Sequence, residues 1–268
     1  MVGYYTRDFR AALPEVATDY ICLICLNADL AGQAGKSYRD LCHEALRELV
    51  LETREFALLL GDIRADGQRI KGVIEQRLKL IKLTGEDEFL KTITVQAAQV
   101  ADESGRITDA VLLYHLAEEY DNVIALINRA LSDAVAVDIG EQHMRIEPSK
   151  PRATSLVGGQ QQQQQQAQEQ NLGISLTSVD DPAVLAQNMI GVYDKNALYL
   201  RKIKQVNRDA CGLLLQMNNA RLSIEGSRWA DALDVRDCFL FPSFILSPSC
   251  PICFLFRMFL IHSIRSLT

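Results

Sequence analysis

Positive charge is not in excess in this chain: 28 Lys and Arg stand against 34 Asp and Glu, for a formal net charge of −6. Wrapping nucleic acid requires clustered cations that displace counterions, so direct nucleic-acid binding is not expected. Long apolar runs are also missing from the first 234 residues. The longest, Tyr20 to Leu26, falls far short of the roughly 20 residues that span a bilayer, and no transmembrane span is expected there. The opening MVGYYTRDF has no basic stretch followed by an apolar one, so no secretory signal is read. The expected compartment is therefore cytosolic or nuclear, with the seven cysteines reduced.

Strand signatures are equally scarce. No segment sustains period-two alternation, and no strand-then-helix order is visible, which argues against an α/β enzyme. Phosphate-binding loops and dinucleotide fingerprints are missing too, because the glycines fall singly at the ends of apolar-periodic segments, where capping explains them. Residue-level repetition of fixed period is not found either, and this counts against a tetratricopeptide-type adaptor, the alternative among soluble helical proteins.

What remains is helix. Thr18 or Asp19 is read as the cap of a buried helix through Ile21, Leu23, Ile24 and Leu26, broken at Gly32 and Gly35. Ser37 opens a second helix whose core face is read as Leu41, Ala45, Leu49, Phe56 and Leu60, with Glu44, Glu48, Glu52 and Glu55 opposite and an end at Gly61 and Asp66-Gly67. A third stripe is Ile70, Ile74, Leu78 and Ile81, on a helix over 69–82 that carries Arg69, Lys71, Arg77, Lys79 and Lys82 as a solvated face. The fourth is Phe89, Ile93, Ala97 and Val100. A helix pair over 107–131 follows, in which Ala110 and Ala117 flank Tyr114 and admit a close neighbour, and Val123, Ile127, Ala130 and Ala134 complete its core. Helix-turn-helix units in series cannot bury their faces alone, so the fold expected is an all-α solenoid of stacked antiparallel helices.

Four regions are drawn. Residues 1–137 form a helical solenoid segment. Residues 138–179, with a run of seven glutamines from Gln160 to Gln166, are read as a disordered Gln-rich loop. Residues 180–234 continue the solenoid, entered at Asp180-Asp181-Pro182 and running along Leu200, Ile203, Ala210, Leu214 and Met217 to about Glu225. Residues 235–268 change character: six of the nine Phe and three of the seven Cys lie from Cys238 onward, among Pro242, Pro248 and Pro251. Three prolines and Arg257 spoil a membrane span. The tail is read instead as translated intron, since Val235-Arg236 can be encoded as GTRAGR, which looks like a splice donor, and pyrimidine-rich intron sequence translates into Phe, Leu, Ser, Pro and Cys.

Candidate chemical sites are few. Cys22/Cys25 and Cys250/Cys253 are two CxxC pairs, yet the first lies within an apolar helical run lacking knuckle turns, so buried structural thiols are expected rather than a zinc site. Cys42 and His43, being adjacent, diverge by about 100° on a helix and cannot act as nucleophile and base on one another. His115 with Glu118 and Glu119 is the remaining metal candidate, the basis of a third reading as a helical metal-dependent enzyme. No second helix offers matching ligands, and a partly buried histidine is the simpler expectation. No catalytic, cofactor-binding or metal residue is assigned, and the partner-binding residues stay unassigned.

Three stretches of sequence are familiar: DYICLICLNADLAGQAGKS, LCHEALRELVLETREFALLLGDIRADGQRIKGVIEQRLKLIKL and AAQVADESGRITDAVLLYHLAEEYDNVIALINRAL. Together, over about residues 4–234, they resemble the C-terminal part of the nucleoporin-interacting component family in a fungal-looking form. The resemblance implies an α-solenoid scaffold of the nuclear pore's inner ring, located in the nucleus at the nuclear envelope, without catalysis or cofactor. It also implies docking onto other inner-ring nucleoporins, both large scaffolds and membrane-associated linkers, with no small-molecule substrate. The sequence departs from the family in lacking its N-terminal region, in the glutamine tract and in the last 34 residues, so recruitment of channel nucleoporins is not credited to this chain.

Overall fold

A computed structural model of the chain describes residues 5–28, 36–64, 68–141, 145–147, 179–228 and 231. The expectations for the glutamine tract, for Cys250 and Cys253 and for the apolar tail lie outside the described residues. In order, the elements are α1 (Pro14–Cys22) with a 3-10 turn (Leu23–Asn27), α2 (Tyr38–Thr53), α3 (Phe56–Leu60), β1 (Gly61–Ile63), β2 (Arg69–Lys71) and a second 3-10 turn (Glu75–Arg77). There follow α4 (Glu86–Phe89), a π turn (Leu90–Val95), α5 (Gln96–Glu103), α6 (Ile107–Leu116), α7 (Tyr120–Ala136), α8 (Pro182–Tyr193), α9 (Ala197–Lys202) and α10 (Gln205–Glu225). The architecture is predominantly helical, as the periodicity predicts.

The described residues fall into two compact units, one drawn from 1–127 and 145–208, the other from 128–144 and 209–231. The division falls within α7 and within α10.

In the first unit, α5 and α6 pack closely, and α2 lies against α1, the π turn and α5. Small residues make the approach possible: Ala97, Ala98, Ala101 and Ala110 are all fully buried. Ser37 starts α2 as expected, its hydroxyl accepting from the Asp40 amide at 3.1 Å while the Asp40 carboxylate accepts back from the Ser37 amide at 3.4 Å. The helix ends at Arg54, which adopts a left-handed φ of 57°. Along the helix the core line differs from the expected one: Cys42, His43, Leu46, Leu49 and Val50 are buried, whereas the expected Leu41 and Ala45 are half-buried.

Three expectations are corrected. The helix through Ile21 starts at Pro14, not at Thr18 or Asp19, and it stops at Cys22, with Leu23 and Leu26 of the following turn 50% and 75% exposed. Proline at the first helical position loses no hydrogen bond, which lets the helix begin a turn earlier. Next, residues 69–82 are not one helix. Gly61–Ile63 and Arg69–Lys71 pair antiparallel, with Gly61 opposite Lys71 and Ile63 opposite Arg69. Gly61 has a φ of 99°, and a Cβ there would meet the Ile70 carbonyl oxygen at 2.1 Å, so only glycine fits the crossing.

Finally, Val100 is 44% exposed and Ala101 takes the core position. The π turn holds more residues per turn than an α-helix, so Phe89, Ile93, Ala97 and Ala101, spaced by four, stay on one face. Arg47 donates from Nη1 to the Thr92 carbonyl within that turn at 2.9 Å.

In the second unit, residues 209–225 of α10 accompany residues 128–136 of α7. Arg221, 3% exposed, closes the α7 terminus: Nη1 donates to the Ala134 carbonyl at 2.5 Å, and Nη2 to those of Asp138 and Glu141 at 2.9 Å each. Of the three, Ala134 lies in the last turn of α7, where a cation on an otherwise orphaned carbonyl also complements the helix dipole. Its own charge is met by Glu225 at 2.9 Å.

Candidate functional site

Among the described residues, the thiols behave as packing groups. Cys22, Cys25, Cys42 and Cys211 are free and buried. Burial pushes the thiols of Cys22 and Cys211 up to about 11 and raises that of Cys42 further, so no thiolate nucleophile or ligand forms near neutral pH. Cys42 Sγ lies 3.5 Å from the Ile21 carbonyl oxygen, to which it donates.

His43 turns away from Cys42, its Nε2 sitting 2.8 Å from the Ile81 carbonyl oxygen. A carbonyl only accepts, so the ring is the donor. Burial lowers the pKa of His43 towards the neutral imidazole and outweighs the Ile81 carbonyl, which as an acceptor favours the charged ring.

His115, Glu118 and Glu119 do not converge. His115 is 2% exposed and shares a hydrogen bond of 3.1 Å between Nδ1 and the Tyr193 hydroxyl. Around it stand Tyr120, Tyr193 and Tyr199, whose ring centroids are 4.7–5.7 Å apart. These offset and edge-on arrangements suit the ring quadrupoles. Burial pulls the His115 pKa down to about 4. Glu118, in a left-handed conformation with φ 59°, pairs instead with Lys202 at 2.5 Å, and Lys202 also lies 5.5 Å from the Tyr120 centroid. Glu119 accepts from Asn122 at 3.4 Å. The cluster seats α8 and α9 of the first unit and holds no divergent ligand set. No three potential metal-ligating side chains come together among the described residues.

Charge is buried elsewhere, at positions that sequence reading placed in solvent or left unread. Arg69 was expected on a solvated face, but its side chain is 10% exposed. It reaches Glu75 at 3.3 Å and Glu86 at 3.2 Å, and donates to the carbonyls of Leu116 at 2.6 Å and Leu60 at 3.1 Å. Asp109, 1% exposed, lies 3.1 Å from Arg54 Nε and 3.4 Å from Arg106 Nε. Such pairs knit loops to helices far apart in sequence, and nothing in local periodicity marks them. The Glu44 and Glu48 face is exposed as expected, whereas Glu55 is half-buried.

Two open hollows lie on the first unit. One, of about 380 Å³, runs between the π turn and the α6–α7 turn and includes Leu90, Lys91, Glu118, Tyr120 and Lys202. The other, of about 650 Å³, lies over the α4 start at Thr84 to Glu88. Charges of both signs line them, and neither is the enclosed apolar cleft with a few converging polar groups that small ligands favour. No helix among the described residues is long and apolar enough to cross a membrane.

Comparison with known proteins gives this helical scaffold a family. The sequence pattern of the Nup93/Nic96 family matches residues 1–242, nine-tenths of the chain. The chain belongs to the Nup93/Nic96 family. It is 54% identical over 234 residues to nucleoporin NIC96 of Chaetomium thermophilum, covering 87% of this chain and 21% of that relative. Nucleoporin NIC96 of Saccharomyces cerevisiae is 42% identical over 233 residues, covering 87% of this chain and 24% of the relative. The animal members are more distant: nuclear pore complex protein Nup93 of Danio rerio is 32% identical over 152 residues, 57% of this chain and 17% of its own length. Among solved structures, the crystal structure of Chaetomium thermophilum Nic96 SOL superposes with a TM-score of 0.72 at 52% identity, covering 89% of this chain and 32% of that one. The chain thus spans less than a quarter of the length of its fungal Nic96 relatives.

Proposed function

We propose that this chain is part of a scaffold nucleoporin of the nuclear pore complex, working at the nuclear envelope as a rigid helical surface on which other nucleoporins dock. The observation that carries this reading is the 54% identity sustained over 234 residues with a protein named as nucleoporin NIC96. At that identity the helix faces that stack, and those that receive partners, come from one template. Its place is the inner ring, its partners are large scaffold nucleoporins and membrane-associated linkers, and it performs no catalysis. Stacked helices present extended grooves to short segments and amphipathic helices, which is how a solenoid binds without a reactive site.

The test is to tag the protein at its own locus, image it and purify it under mild conditions. A punctate nuclear rim, with inner-ring nucleoporins recovered in near-stoichiometric amounts, is the expected result. Diffuse cytosolic signal without nucleoporins would sink the reading and favour a soluble peptide-binding adaptor. Residues 138–179 are proposed as a surface loop and 235–268 as translated intron. Transcript sequencing across the codons for Gly226 to Thr268 tests the second, since an abundant in-frame message through the tail removes that origin.

A further inference from the structure

We draw no further inference here: the strongest candidate, the exposed apolar face of α1 and its flanks formed by Leu13, Val16, Tyr20 and Leu23 with the Tyr5 and Phe9 rings tilted and edge-on against Tyr20, carries nothing because no group in the structure shows what covers it.

Discussion

Helix α6 and the 209–225 part of α10 bury different things. In α6, eight of ten residues are buried, Val111, Leu113 and Leu116 among them, and its polar Asp109 meets two guanidinium groups. In α10, the polar Asn218, Arg221 and Ser223 are buried beside Cys211, Ala220 and Ile224, while Leu213, Leu214, Leu215 and Met217 are only half-covered and Leu222 is 47% exposed. Apolar content alone therefore does not select the inward face of a helix. In α10 the inward face is the one from which Arg221 reaches carbonyls in the last turn of α7 and in the segment just after it.

The contrast can be broken at four points. The largest effect is expected from Asp109→Ala, which leaves Arg54 and Arg106 without their shared carboxylate in a buried site. A loss of about 3–5 kcal/mol is expected from denaturant titration, and a loss below about 1 kcal/mol would mean that α6 does not depend on this contact.

The next effect is pH-dependent. His115 has a folded pKa of about 4, against an ordinary value of 6.5. Its neutral form is favoured only in the folded chain, so the full stabilisation is present above about 6.5. It is lost as pH falls towards 4, where the unfolded chain takes up a proton that the folded one refuses. The span corresponds to about 3 kcal/mol, and His115→Phe should flatten the stability profile in that window. An unchanged slope in the variant would assign the acid sensitivity to other groups.

A matched pair of truncations sharpens the comparison directly. Leu113→Ala, at a site with no exposure, should cost about 2–5 kcal/mol. Leu214→Ala, half-covered, should cost about 1 kcal/mol. Equal losses in thermal melts would show that the α10 leucines are core after all. The smallest effect is expected at the surface: Lys202→Ala removes the Glu118 pair, whose partners are 51% and 38% exposed. It should shift stability by about 0.2–1 kcal/mol, and by less still as salt is raised.

The parts of the fold legible in sequence are those whose causes are local. Ser37 announces α2, Asp181 before Pro182 announces α8, and the Ala110–Tyr114–Ala117 spacing announces the tight α6 neighbourhood, because each signal is complete within a few residues. The hairpin escaped because three-residue strands are too short to display alternation, and because Gly61 needs its Ile70 and Gly72 neighbours before its conformation makes sense. Arg69 was misplaced for a related reason: its partners lie at residues 60, 75, 86 and 116, scattered along the chain. His115 was read as a partly buried histidine, whereas it is 2% exposed and its tyrosine partner at 193 lies 78 positions away. Long-range polar contacts of this kind leave no periodic trace.

The π turn bears on how this stretch tolerates changes in length. From Glu86 to Glu103 the chain runs as one continuous helical rod with a single widened turn at Leu90–Val95. A one-residue deletion elsewhere in the rod rotates everything downstream by about 100° and carries Ala97 and Ala101 off the core. Inside the widened turn, the same deletion can be absorbed by tightening to ordinary α geometry. That six-residue window is where a shorter or longer homologous chain could differ by one residue and still present the same alanines to its neighbour.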